Sequence, residues 1–346
     1  VSPTSPSPAS PAAPSPTSAP LLDVRDLAIT YHGARGDIPA VRGVNLTLQP
    51  GDTLGIAGES GCGKSSLALA LLRLLPAGTT VEGQIRIDDE DVLDMSWGRL
   101  RALRWAGASI VFQGAMHALN PVHRIGRQIA EPILLHEKVS EAEANQRVDE
   151  LLTQVGLPTW RARSYPHELS GGQRQRIMIA MALACSPRLI IADEATTALD
   201  VMIQAQVLEL LGTLVAERGI ALLMISHDLS VLSANCRRLA VMYAGQVVEL
   251  GPAGKVFTDP LHPYSGALAS AFPSVGDPAA RGRPRGLGGD PPDPAALPSG
   301  CPFHPRCPVV LPECASTPVP LRAAGPDRVA ACLRVESTAD ATRSTP

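Results

Sequence analysis

Gly58-Glu59-Ser60-Gly61-Cys62-Gly63-Lys64-Ser65 is the stretch that decides the fold. It fits G-x-x-x-x-G-K-[ST] in full, following the apolar run Thr53–Ala57, which reads as a strand, and opening a helical pattern from Ser66 to Leu75. Glycines let backbone N–H groups converge on phosphate oxygens, and the helix N-terminus adds its positive dipole end. Lys64 then neutralises the outer phosphates, while the Ser65 hydroxyl ligates Mg²⁺. Cys62 serves through its backbone N–H rather than its thiol. The expected nucleotide contacts on this loop are therefore Gly58, Ser60, Gly61, Cys62, Gly63, Lys64, Ser65 and Ser66.

Leu189-Ile190-Ile191-Ala192, ending in Asp193-Glu194, is the second informative stretch. It reads as a buried parallel strand that delivers two carboxylates at its C-terminal edge, where α/β proteins bind ligands. Asp193 is placed to hold Mg²⁺ and Glu194 to orient or deprotonate the attacking water. Paired acids after a strand also serve as a solvated helix cap, but the phosphate loop upstream favours the catalytic reading.

Leu169-Ser170-Gly171-Gly172-Gln173 completes the pattern, and with it the chain resembles the ATP-binding subunits of ABC transporters over about residues 21–260. The string matches that superfamily's signature motif without a substitution. By this resemblance Phe112-Gln113 is the Q-loop, with Gln113 contacting ATP and Mg²⁺, and Ala198-Leu199-Asp200 is the D-loop. Ser226-His227-Asp228, after the strand Ile220–Ile225, carries the switch histidine, so His227 joins Glu194 as a catalytic residue. Tyr31 falls where the family keeps an aromatic that stacks on adenine. Ala195 departs from the proline common after the glutamate, which touches only a turn. A single phosphate loop and a single signature imply a second ATPase subunit, homologous but not identical. Ser170, Gly171, Gly172 and Gln173 would act on the ATP held by that partner.

The resemblance implies an α/β fold with a P-loop NTPase core, an antiparallel β subdomain, an inserted α-helical subdomain at about 114–185 and a loop-rich C-terminal extension. Local patterns agree with it. Leu22–Thr30 and Val41–Leu48 read as strands on either side of Gly33-Ala34-Arg35-Gly36. Glu141–Val155 places Ala144, Val148, Leu151, Leu152 and Val155 at helical spacing. Ala118-Leu119-Asn120-Pro121-Val122 lies near the surface that receives the membrane subunit in the family.

With 45 % hydrophobic residues in 346, the chain can bury a full α/β core and still supply a second module. A formal net charge of −3 provides no basic footprint, which argues against a nucleic-acid partner. Apolar runs are too short to span a bilayer, so transport is expected to involve separate membrane subunits. Residues 1–20 are nearly all Pro, Ser, Ala and Thr, and read as a disordered tail rather than a signal peptide.

Beyond about residue 260 the composition changes. Leu261-His262-Pro263-Tyr264 resembles the start of the C-terminal extension of oligopeptide, dipeptide and nickel importers, and Arg281–Pro298 reads as a linker. Of the 7 cysteines, Cys62, Cys185 and Cys236 are dispersed and read as packing residues. Cys301, Cys307, Cys314 and Cys332 crowd together as C-x5-C-x6-C-x17-C, among Pro302, Pro305, Pro308 and Pro312. In a reducing compartment four such thiols suggest a metal or iron-sulfur site, and the lack of C-x-x-C disfavours an ordinary zinc ribbon. Some importers of this kind carry a four-iron, four-sulfur cluster at equivalent cysteines, which makes that cluster the expected cofactor, with Zn²⁺ as the alternative.

The reading is an ATP hydrolase on the cytoplasmic face of the cell membrane, peripheral, powering peptide import. Its expected partners are the second ATPase subunit, two transmembrane permease subunits and an extracytoplasmic solute-binding protein. Nickel chelates or sugars are alternative cargoes. A soluble ABC ATPase of DNA repair or translation would usually carry a long coiled-coil insertion or two ATPase units, and neither is present. A redox- or metal-sensing ATPase would instead make the cysteine segment its business end.

Overall fold

The computed structural model describes residues 19–34, 36–112, 118–196, 199–271 and 287–335. Most of the expected N-terminal tail, Gln113, Ala198 and the first part of the linker lie outside the described residues.

The chain opens with a hairpin, β1 (Leu22–Gly33) and β2 (Gly36–Leu48), then β3 (Thr53–Ala57), helix α1 (Lys64–Ala70), β4 (Thr80–Ile87), β5 (Glu90–Asp91) and α2 (Trp97–Ala106). Strand β6 (Ala108–Val111) leads to the helices α3 (Ile125–His136), α4 (Glu141–Gln154) and α5 (Gly171–Leu183). The second half alternates β7 (Leu189–Asp193), α6 (Val201–Arg218), β8 (Ala221–Ser226), α7 (Leu229–Asn235), β9 (Arg238–Tyr243) and β10 (Gln246–Pro252). Two helices, α8 (Ala253–Thr258) and α9 (Pro263–Ala271), precede the short strands β11 (Arg322–Ala323) and β12 (Val329–Ala330).

Among the described residues the strands form two sheets. The larger runs β11-β12-β10-β9-β3-β8-β7-β6, and the smaller β2-β1-β4-β5. β9, β3, β8, β7 and β6 are mutually parallel, so their carboxyl ends share one edge. Burial explains their sequences: every residue of β7 is buried, which suits an unbroken apolar run covered on both faces. The smaller sheet is antiparallel throughout.

Two elements differ from their expected bounds. The first hairpin is longer than Leu22–Thr30 and Val41–Leu48, because pairing continues through Tyr31↔Ile38 and His32↔Asp37 to Gly33↔Gly36. Helix α1 is shorter than Ser66–Leu75. Arg73 turns left-handed at φ 49°, and the N–H groups of Leu74 and Arg73 donate to Leu69 and Ala70 carbonyls at 2.8 and 2.9 Å, a Schellman closure. Helix α4 bears out its apolar stripe, with Ala144, Val148, Leu151 and Leu152 buried and a capping box between Ser140 and Glu143 at its start.

The C-terminal segment docks on the sheet instead of standing apart. β12 pairs with β10 through Glu249↔Ala330 and Leu250↔Val329. Fully buried Glu249 accepts the N–H groups of Leu261 and His262 at 3.0 and 2.9 Å and a bond from Arg328 at 3.0 Å. His262 Nδ1 accepts the Tyr264 N–H at 3.0 Å, satisfying a donor that the start of α9 leaves open, and burial lowers this histidine to about 4. The His-Pro-Tyr string is thus a helix start that plugs Tyr264 into the core.

Candidate active site

Chain geometry demands the loop glycines between β3 and α1. A Cβ on Gly58 would meet the Met242 carbonyl oxygen at 2.3 Å, and one on Gly63 would meet that of Ala40 at 2.2 Å; Gly63 also caps α1 at φ 103°. Lys64 is buried, and its ammonium donates to the carbonyls of Gly58 and Glu59 at 2.8 and 2.9 Å. These two bonds hold the side chain across the loop, and a third, long contact reaches Cys62 Sγ at 3.8 Å, the weakest of the three and the one an anionic oxygen would replace. Cys62 is buried, and burial pushes its thiol up, in keeping with a backbone rather than a nucleophilic role.

The hydroxyl of Ser65 lies 3.3 Å from Asp193 Oδ1, joining the first turn of α1 to the end of β7. Burial pushes the Asp193 carboxyl above its ordinary range, with the Glu194 charge adding and the Ser65 bond and Lys64 opposing. Glu194, the next residue, is left-handed at φ 47°, and its N–H donates to the Ile225 carbonyl at 3.0 Å. A non-glycine residue in that conformation carries strain that its surroundings must hold. The Ile225 bond ties it to β8, and Glu194 Oε1 then stands 3.6 Å from His227 Nδ1. Parallel pairing of β7 with β8, Asp193 opposite Ile225, is what brings these residues together across 34 positions of sequence, 193 to 227.

Tyr31 on β1 donates from its hydroxyl to Ser66 Oγ at 3.0 Å, so the residue expected at adenine borders the helix that opens from the loop. The signature motif forms the start of α5. Ser170 and Gln173 make a reciprocal capping box at 3.3 and 3.1 Å. Gly172 approaches α6 so closely that a Cβ would meet Ile203 Cγ2 at 2.5 Å. Asp200 caps α6 by accepting the Ile203 N–H at 3.0 Å, placing the D-loop and the signature side by side. These residues pack on one another rather than completing the loop of their own chain. Gln113 lies outside the described residues.

The four C-terminal cysteines, with His262 and His304, line one small cavity. None is disulfide-bonded, and burial pushes the Cys301 and Cys307 thiols up, with backbone hydrogen bonding from Phe303 and Val309 opposing. The expected iron-sulfur or zinc site is thus only partly matched: among the described residues no three His, Cys, Asp or Glu side chains surround a point where a single metal ion could sit.

Sequence reading missed the contacts between this segment and the phosphate loop. Tyr264, Tyr243 and Phe303 form a buried aromatic cluster with centroids 4.6 to 5.4 Å apart. Arg306 forks onto the Glu59 carboxylate at 2.7 and 3.0 Å. Only the burial-prone aromatics in a Pro-rich segment hinted at docking.

A glycine loop on a helix start after β3, with carboxylates at the end of β7 one strand beyond β8, places the chain among P-loop nucleotide hydrolases. Its relatives narrow the class. The ABC transporter profile matches residues 41–197, and that of the oligopeptide/dipeptide transporter C-terminal region matches 248–314. The chain is 45 % identical over 316 residues to the oligopeptide transport ATP-binding protein OppD of Salmonella typhimurium, covering 91 % of this chain and 93 % of that one. Identity is likewise 45 % over 324 residues to a probable peptide ABC transporter ATP-binding protein of Sinorhizobium fredii, with 91 % and 95 % covered. A solved dimeric ATP-binding cassette, in a post-hydrolysis state bound to ADP and Pi, superposes with TM-score 0.61 at 29 % identity, covering 67 % of this chain and 98 % of that one. The chain belongs to the ABC transporter ATP-binding proteins, in the branch that carries the oligopeptide/dipeptide C-terminal region.

Proposed function

We propose that this chain hydrolyses ATP to drive peptide import, as a peripheral subunit on the cytoplasmic face of a membrane transporter. The observation that carries the catalytic reading is the convergence of Ser65 with Asp193 and of Glu194 with His227 at the carboxyl edge of one sheet. Phosphate oxygens are received by the backbone N–H groups of Gly58, Ser60, Gly61, Cys62, Gly63, Lys64, Ser65 and Ser66 and by the Lys64 ammonium. Ser65 and Asp193 would hold Mg²⁺, with Gln113 as a further ligand, and the ion would supply neutralisation of phosphate charge. Glu194 takes the proton of the attacking water, and His227 orients that carboxylate and the outer phosphate. Tyr31 stacks on adenine.

Similarity to peptide import proteins over nine-tenths of the chain supports the cargo class. No helix among the described residues is long and apolar enough to cross a membrane, so two permease subunits form the path, fed by an extracytoplasmic solute-binding protein. Ser170, Gly171, Gly172 and Gln173 close over the nucleotide of a second, homologous ATPase subunit, for which the solved dimeric cassette is an analogue. Cys301, Cys307, Cys314 and Cys332 hold a four-iron, four-sulfur cluster. Support comes from four thiols lining one cavity. Zn²⁺ held by the same four cysteines is the alternative; among the described residues no group of three His, Cys, Asp or Glu is placed to hold a metal ion.

The test is reconstitution with the permease and binding-protein subunits in vesicles. Labelled oligopeptide should accumulate only with ATP and all subunits present. Full ATP turnover by this chain alone, indifferent to the permease, would count against the reading.

A further inference from the structure

Glu59, second residue of the phosphate loop, is held at both its backbone amide and its side chain by residues from the far end of the sequence. Its N–H donates to the Tyr264 hydroxyl at 2.8 Å, and its carboxylate receives the Arg306 fork at 2.7 and 3.0 Å. Neither contact is a loose surface encounter. Tyr264 is fully buried, and the Arg306 side chain is 7 % exposed, with its remaining donors on the Gly288 carbonyl at 2.9 Å and the Tyr243 hydroxyl at 3.4 Å.

The Glu59 N–H and the Gly58 C=O belong to one planar peptide unit and point in opposite directions. Fixing the N–H on Tyr264 therefore turns the Gly58 carbonyl to the opposite side, where it accepts Lys64 Nζ at 2.8 Å. The Glu59 carbonyl, next along, accepts the same ammonium at 2.9 Å. Gly58 has no side chain to restrain this plane, and a Cβ there is barred by the Met242 carbonyl at 2.3 Å. The restraint has to come from outside the loop, and the C-terminal segment supplies it.

We propose that Tyr264 and Arg306 are positioning residues for nucleotide binding: they lock the Gly58–Glu59 peptide so that its carbonyl holds Lys64 in place before the phosphates arrive. Ordering the loop in advance removes an entropic cost from binding, and its loss weakens affinity. Arg306 immediately precedes Cys307, so the order of the four-cysteine segment is transmitted to the ATP loop through one residue. A C-terminal segment that served only as a cover would have no need of a bidentate ion pair aimed at the loop.

The inference rests on Lys64 binding phosphate, so Lys64→Ala is measured alongside. Affinity of the full chain for a fluorescent, non-hydrolysed ATP analogue with Mg²⁺ is read together with Tm, and KM and kcat are read in the assembled transporter. Tyr264→Phe keeps the ring in its cluster and removes only the hydroxyl; it should weaken nucleotide binding about three- to fivefold, as loss of one hydrogen bond would. Arg306→Ala should weaken it about tenfold and Arg306→Lys less, with KM rising in step and kcat nearly unchanged. Unchanged affinity in Tyr264→Phe and Arg306→Lys, with Tm alone lowered, would reduce both residues to docking contacts and overturn the proposal. An unchanged affinity in Lys64→Ala would overturn the phosphate-loop reading itself, and the proposal with it.

Discussion

Glu194 Oε1 lies 3.6 Å from His227 Nδ1, joining the residue after β7 to the residue after β8. The contact sits beside Asp193 and Ser65, so the residues proposed to activate water and those proposed to hold Mg²⁺ are one residue apart on the same strand end. Glu194→Gln keeps the shape but cannot accept the water's proton. Hydrolysis should fall about 10²- to 10⁴-fold while ATP binding is retained, and ATP-bound closed dimers should accumulate on size exclusion. Near-normal turnover in single-turnover assays would remove Glu194 from the base role.

Asp193 carries a pH consequence. Burial raises its folded-state pKa above the unfolded value, so the native state holds the proton longer and stability falls as pH rises between the two values. At neutral pH the ionised carboxylate is a net cost that Ser65 and Lys64 only partly offset. Without Mg²⁺, Asp193→Asn should therefore raise Tm at pH 7, an advantage lost at pH below the unfolded value of about 3.9. The same variant should lose the Mg²⁺ dependence of nucleotide binding. A lower Tm at pH 7 would contradict the sign argued here.

Ser170 caps α5 in its own chain while facing a partner's nucleotide in the proposed dimer. Ser170→Ala costs about 1 kcal/mol of capping and a few degrees of Tm. In a complex with an unaltered partner, photolabelling by an ATP analogue should drop on the partner and persist on this chain. The reverse pattern would mean that the signature serves its own loop.

The cysteine cavity makes a compositional prediction. Anaerobically purified protein should be brown and contain iron and acid-labile sulfide in near-equal amounts, both lost in Cys307→Ser. Colourless protein with one zinc per chain would decide for the alternative.

The glycines, Lys64, Ser65, Asp193, Glu194 and the signature were legible because their chemistry is local: a strand, a tight turn and a helix start fix where backbone N–H groups point. The stripe of α4 and the buried run of β7 were legible for the same reason, since periodicity is a property of neighbouring residues. The end of α1 was not, because the Arg73 closure depends on a left-handed residue for which nothing in the side chain calls.

The sequence by itself determined which residues stand as candidates to meet phosphate, metal and water, and that the C-terminal segment differs in kind from the core. Only the tertiary structure decided that this segment grips the loop. The Glu59–Arg306 pair spans 247 positions, and Tyr264 reaches Glu59 across 205. Contacts of that range leave no spacing signal, because they are set by β12 pairing with β10 and by three aromatic rings closing on one another. The strand order likewise places His227 beside Glu194, since a parallel pair aligns carboxyl ends whatever the length of the helix that joins them.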